Sequence, residues 1–141
     1  SPFNTGPTTY LLRSSINALN TWVVEGTPPP KAPRLQTTGN EAAPFALDAN
    51  GNVKGGIRTP HVDAPVAALS GVGQTGKNFC GLFGTTVAFD AAKVAALYPS
   101  HAAFVKAWNA ATDKAVKAGF LLPADAKDIK AAAAASDVAG S

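Results

Sequence analysis

The side chains best suited to acid–base chemistry in this sequence are two histidines, His61 and His101. A serine nucleophile that uses such a base usually stands on a sharp strand-to-helix turn with the pattern Gly-x-Ser-x-Gly. The chain has no such pattern, and its nearest segment, residues 68–72, lacks the leading glycine. A triad of Ser70, His61 and Asp63 is disfavoured. His61 and Asp63 lie two positions apart in a stretch expected to be extended, so both side chains would point to the same side with little freedom to bond to each other. We therefore assign no catalytic residue to this chain.

The stretch Gly55–Pro65, with the sequence GGIRTPHVDAP, is the most informative segment for a binding site. Arg58 and Asp63 lie there in a proline-held, otherwise apolar strip. One interpretation is a structural ion pair that fixes an extended arm. The other is that the strip borders a substrate pocket, and it makes Arg58, His61 and Asp63 the candidate substrate-binding residues.

Patterns typical of a metal or cofactor site are not found. Two distant histidines and one cysteine do not give the spacing of a zinc site. The glycine-rich segment 71–84 contains a Gly-x-Gly-x-x-Gly spacing, but no convincing strand precedes it, no helix follows it, and Gly76-Lys77 is followed by Asn78. We therefore expect a loop over 71–84, no metal and no cofactor. His101 is interpreted as a half-exposed structural imidazole at a helix start.

Cys80 is the single cysteine, so no disulfide can form within the chain. We interpret it as a small buried apolar residue or, alternatively, as the partner of a cysteine in another segment. The second interpretation would suit a secreted or periplasmic protein. The sequence does not otherwise indicate a localisation, and we favour this one. The sequence opens at Ser1 without a signal peptide and contains no methionine, which predicts a processed or trimmed start.

The composition is that of a folded domain with few large apolar side chains. Hydrophobic residues make up 46% of the 141 positions and charged residues 15%, and much of the hydrophobic share is alanine. The net charge of +3 comes from scattered basic residues, which argues against a nucleic-acid partner. No apolar stretch approaches the ~20 residues of a membrane span. Because such a core would be thin, we expect some apolar side chains to pack against another chain or another part of the same protein.

The first element is a helix over residues 8–25. Thr8 or Thr9 is predicted to cap its start through a hydroxyl group, and Gly26 to end it in a left-handed conformation. Three prolines, residues 28–30, prevent any continuation. Apolar side chains recur at helical spacing and define one face of this helix: Leu12, Ile16, Leu19 and Val23.

The middle of the chain, residues 31–89, has no helical period. A short hairpin is predicted around Asp48–Asn52, because Asn-Gly tolerates the positive φ values of a tight turn. Two glycines at 55–56 end it. The segment Ile57–Leu69 is expected to be irregular and extended, since Pro60 and Pro65 exclude a central strand.

From residue 90 to about 137 the sequence predicts three helices. Asp90 caps the first, Pro99 ends it, and Ser100 caps the second over about 101–118. The last begins near Pro123. The second helix carries a stripe that is expected to be buried: Phe104, Trp108, Ala111 and Ala115.

Four of these segments carry a family resemblance. The helix ending with its proline run (WVVEGTPPP, residues 22–30), GGIRTPHVDAP (55–65), LFGTTVAFD (82–90) and LYPSHAAFV (97–105) occur in order and resemble segments of bacterial α/β-hydrolase-domain proteins. The similarity extends from about residue 10 to 137. It implies a fold that is α/β-hydrolase-like overall, to which this chain contributes a mainly α-helical part with a short hairpin and a long irregular arm, packed on a missing αβ core.

The resemblance also implies a function and a partner. The nucleophilic serine, the acid and the catalytic histidine would precede the helix that starts near Thr9. Residues 1–30 would cover one face of the hydrolase sheet, and residues 31–141 would form a C-terminal extension, with an arm over 31–89 and helices over 90–137. The partner would be the N-terminal catalytic part of the same precursor, and the substrate a small-molecule ester or related acyl compound. The alternative is a non-enzymatic structural or assembly subunit that keeps the family sequence.

Overall fold

A computed structural model of the chain describes residues 2–74 and 79–140, with the backbone alone for residues 80 and 81. The predictions for Gly76, Lys77 and the side chain of Cys80 lie outside this part. The described chain is mainly helical, as expected. Its elements are α1 (Thr8–Glu25), α2 (Pro60–Asp63), β1 (Ala67–Ser70), a 3₁₀ turn (Phe79–Leu82), β2 (Thr85–Ala88), α3 (Ala91–Leu97), α4 (His101–Lys117) and α5 (Pro123–Ala134).

Local capping signals set the ends of most helices. Asp90 accepts a hydrogen bond from the Lys93 backbone N–H, and Ser100 accepts one from Ala103, so both predicted caps of α3 and α4 are confirmed. Gly26 ends α1 with φ 73°, a conformation that costs glycine little.

The predicted threonine cap of α1 is wrong. Pro7 occupies the cap position, and no side chain caps the helix. The preceding turn is held instead by the Asn4 side chain, which accepts a hydrogen bond from the Gly6 N–H at 2.7 Å. Thr8 is therefore already inside the helix.

The core lies around α4. Phe104, Trp108, Ala111 and Ala115 are buried, which confirms the predicted stripe. They pack with apolar residues from α5 and the segments around it, and Leu11 of α1 lies against the edge of this cluster. Fold and sequence pattern therefore agree best where the chain supplies both sides of the contact.

A tight turn over Asp48–Asn52 confirms the predicted hairpin, although single bridges replace continuous strands. Gly51 has φ 81° and donates its N–H to the Asp48 carbonyl. The side chain of Asn52, which is 1% exposed, bonds the Ala67 carbonyl at 3.2 Å and the Leu69 N–H at 2.8 Å. Asn52 thus joins the hairpin to the edge of β1.

The prediction that Ile57–Leu69 is irregular and extended is wrong in two places. Pro60 opens the single-turn helix α2, because a proline at the first helical position loses no hydrogen bond. Residues after Pro65 form β1, which pairs antiparallel with β2. The segment 71–84, predicted to be a loop, contains the 3₁₀ turn Phe79–Leu82 near its end. Residues 2–5 bond along the other edge of β2.

Candidate functional site

Arg58 and Asp63 form an ion pair at the ends of the turn that carries His61. The Arg58 Nε atom lies 2.6 Å from Asp63 Oδ1, and Nη1 donates to the Val53 carbonyl at 2.9 Å. Nη2 reaches Asp48 at 3.4 Å. The predicted pairing of Arg58 with Asp63 is therefore confirmed, but the pair ties the hairpin to the helical turn α2 and not to an extended arm.

Asp63 also connects α2 to the core helix. Its second oxygen accepts a hydrogen bond from Lys114 of α4 at 3.0 Å. Burial by itself would raise the pKa of Asp63, but the hydrogen bonds and positive charges of Arg58 and Lys114 outweigh it and lower the pKa. The carboxylate is therefore held in its charged form.

His61, in the same turn, packs on α4. Its ring meets the Trp108 ring edge-on, with centroids 4.9 Å apart. The Nδ1 atom is enclosed and has no hydrogen-bond partner. Burial lowers the pKa of His61 from 6.5 to about 4, because the surroundings disfavour the charged ring. At neutral pH the imidazole is uncharged.

The same ring lines a polar cleft of about 390 Å³, which we call the His61 cleft. Arg13 lines the cleft, and its Nη1 atom lies 2.7 Å from Oδ1 of Asp125, a residue that is almost fully buried. The start of α1 and one residue of α5 supply the other walls. The lining residues are Thr5, Gly6, Pro7, Thr9, Tyr10, Arg13, His61 and Asp128.

Of the three candidate substrate-binding residues, only His61 lines this cleft. Arg58 and Asp63 are brought together outside its lining, where their ion pair joins the two ends of the turn. Substrate binding by these three residues stays a prediction. Sequence reasoning missed Thr5, Tyr10, Arg13 and Asp128, because they come from distant segments with no shared motif.

No hydrogen-bonded nucleophile–base pair is found among the described side chains, those of residues 2–74, 79 and 82–140. His101 is half-exposed, as predicted, and its ring nitrogens contact two backbone carbonyls, of Val138 at 2.8 Å and of Ala134 at 3.3 Å. The hydroxyl of Ser70 accepts the Val72 N–H. Over the same described residues, no group of three acidic, histidine or cysteine side chains is arranged to hold a metal ion. None of the described helices is both long and apolar enough to cross a bilayer.

Comparison with known proteins supports one assignment. A family model described as an alpha/beta hydrolase domain matches residues 1–131. Neither a curated protein nor a solved structure shows a significant match to the chain.

Proposed function

Because the chain belongs to the α/β hydrolase domain family, we propose that it is the C-terminal part of a serine hydrolase that cleaves an ester or related acyl compound. Such chemistry needs a serine hydroxyl, a histidine base and an acid that orients the base. The described residues do not supply that arrangement. In this proposal the N-terminal catalytic part of the same precursor supplies it, and this chain supplies packing and one wall of the pocket.

The observation that carries the proposal is the orientation of α1. The apolar face predicted from the sequence, which we call the α1 stripe (Leu12, Ile16, Leu19 and Val23), is 52 to 76% exposed. The face turned inward carries Tyr10 and Leu11 at its start and smaller residues further along, and its Ser14 hydroxyl donates to the Phe120 carbonyl at 2.9 Å. An amphipathic helix normally buries its apolar side. A surface outside the described chain is thus needed to cover the α1 stripe.

A second apolar surface supports the same inference. Phe79 and Phe3 both pack against Phe83, with centroid distances of 5.5 and 5.3 Å, and all three rings remain exposed. Exposed apolar clusters of this kind are typical of contact surfaces. We propose that both surfaces lie on the αβ core, with residues 1–30 covering the sheet and residues 31–141 wrapping the body.

For the pocket wall we propose different roles for the three candidate residues. His61 would contact the substrate as an uncharged hydrogen-bonding group. Arg58 and Asp63 would position it through their ion pair. The neutral state of His61 suits an uncharged ester better than a charged ligand, because an imidazole of lowered pKa supplies no positive charge.

The test uses the intact product of the gene that encodes this chain. Treatment with a fluorophosphonate and hydrolysis of p-nitrophenyl acetate would report a reactive serine. We expect labelling of a serine outside these 141 residues. Labelling of a serine within the chain, or neither labelling nor hydrolysis, would contradict the proposal, and the latter would favour the structural subunit.

A charge-insertion pair tests the docking of α1. Ile16→Glu with Leu19→Glu places two charges on the α1 stripe, and Asn17→Glu with Asn20→Glu places two on the exposed polar face beside it. We expect the first pair to reduce hydrolysis by at least about tenfold, as expected when charges are buried unpaired, and the second to leave it near wild type. Circular dichroism of the chain alone should be unchanged in both. Equal activity of the two variants would show that the stripe is not docked.

A further inference from the structure

A second hollow lies on the side of α3 and shares no lining residue with the His61 cleft. We call it the α3 hollow, and its volume is about 680 Å³. One side is lined by Val66, which precedes β1, and by residues of α3 and its flanks: Phe89, Ala91, Val94, Ala95, Tyr98 and Pro99. The other side is the C-terminal tail, residues 137–140.

Residues 137–140 are held in place by contacts with the rest of the chain. The ring of His101 contacts the carbonyls of Val138 and Ala134, and the shorter contact, 2.8 Å to Val138, identifies the Nδ1–H as donor. Val138 and Ala139 also pack against the core cluster. Ala139 has φ 55°, a conformation that non-glycine residues rarely adopt. Such strain persists only where the surroundings fix it, so the shape of the hollow is defined.

The chemistry of the lining selects the ligand. The Tyr98 hydroxyl is occupied, because it donates to the Pro65 carbonyl at 3.1 Å, and burial raises its pKa to about 12, so it stays neutral. The charged group of the lining is Asp137, which is exposed to solvent. The ammonium of Lys93 lies 3.8 Å from the ring centroid of Phe89. A charge placed deep among the remaining apolar side chains would lose its hydration without gaining a partner.

We propose that the α3 hollow is a binding site for the uncharged alkyl or aryl part of a small molecule. A dry cavity of about 150 Å³ already accommodates benzene, so this hollow has room for a ring or for a chain of several carbons. A concave site bounded on one side by the tail fits a small ligand better than it fits a flat protein partner. The proposal is independent of hydrolysis, since no reacting group lines the hollow.

The test is a titration of the chain with 1-hexanol, followed through the methyl resonances of Val66, Val94 and Val138. We expect saturable shifts confined to these residues, and much weaker binding of hexanoate and hexylammonium. Ala95→Trp should fill the hollow and weaken hexanol binding by about tenfold or more, because an overfilled site excludes its ligand. Ala96→Trp, the same change at the next position of α3 and outside the lining, is the matched control.

Three results would overturn the proposal. The first is the absence of saturable shifts in the unmodified chain. The second is equal hexanol binding by the Ala95→Trp and Ala96→Trp variants. The third is that, in the intact gene product, the three valine methyls contact another polypeptide segment, which would make the occupant protein and not a small molecule.

Discussion

Helices α1 and α4 have nearly the same length and the same kind of sequence pattern, but they differ in how much of the apolar face is buried. Each carries an apolar stripe at helical spacing. The stripe of α4 is buried, with Phe104 at 2% and Trp108 at 9% exposure, whereas the stripe of α1 is more than half exposed. The pattern defines a face, but the face becomes core only where a second surface is available.

The two tryptophans show the same contrast at single-residue level. Trp108 donates its indole N–H to the Ile129 carbonyl at 3.2 Å and packs against His61 and Phe104. Trp22, on α1, is 51% exposed. A large aromatic residue in a helix is therefore a poor guide to the core of this chain unless its neighbours in space are known.

The largest expected effect is on the α4 side. Trp108→Ala should lower the free energy of unfolding by about 3–5 kcal/mol, because it opens a cavity and removes the hydrogen bond from the indole to the Ile129 carbonyl. Urea unfolding of the chain, followed by circular dichroism, measures it. A loss under ~1 kcal/mol would mean that α4 does not form the core.

His61 should make the α4 side sensitive to pH. Its folded pKa lies near 4, below the unfolded value of 6.5, so the unfolded chain takes up the proton more readily. Stability should fall as the pH is lowered from about 6.5 towards 4, by up to ~3 kcal/mol. His61→Phe keeps a ring against Trp108 and should remove that part of the pH dependence. Identical pH profiles of unfolding for the two proteins would show that His61 is solvated.

A smaller effect is expected from the ion pair that joins α2 to α4. Asp63→Asn should lower the free energy of unfolding at pH 7 by ~1–2 kcal/mol, since it removes a charged partner of Arg58 and Lys114. Because the pKa of Asp63 is lowered in the folded chain, its charge stabilises the fold at pH values above the unfolded pKa of about 3.9. This stabilisation is lost as the pH falls through the folded pKa. The difference between wild type and variant should therefore vanish in strong acid. Unfolding curves at pH 7 and pH 2 measure it, and a difference of the same size at both pH values would assign the effect to packing.

The smallest effect is expected on α1. Trp22→Ala should change the stability of this chain by less than ~1 kcal/mol, because half of the ring is already in water. In the intact gene product the same change should cost several times more if the α1 side is covered there. Thermal unfolding of both proteins compares them. A large loss in the chain alone would remove the contrast between the two helices.

Much of the fold follows from short-range signals. Asp90, Ser100 and Gly26 act on backbone groups within a few residues of themselves, so the ends of the helices that they mark could be predicted. The Arg58–Asp63 pair was also predictable, because five residues separate the partners. Pro60 was misjudged, since proline excludes a central strand but also begins a helix, and only the surrounding contacts select between the two.

What the sequence alone determined is therefore the local inventory of the chain: helices α1, α3, α4 and α5, the Asn-Gly turn, an ion pair between near neighbours, and the family resemblance. The tertiary structure decided the pairing of β1 with β2, the assembly of the His61 cleft from three distant segments, and which apolar stripe is buried. The physical reason is the distance along the chain over which the deciding interactions act. Caps and turns are settled by hydrogen bonds between nearby residues, whereas burial depends on surfaces that only the folded chain brings together.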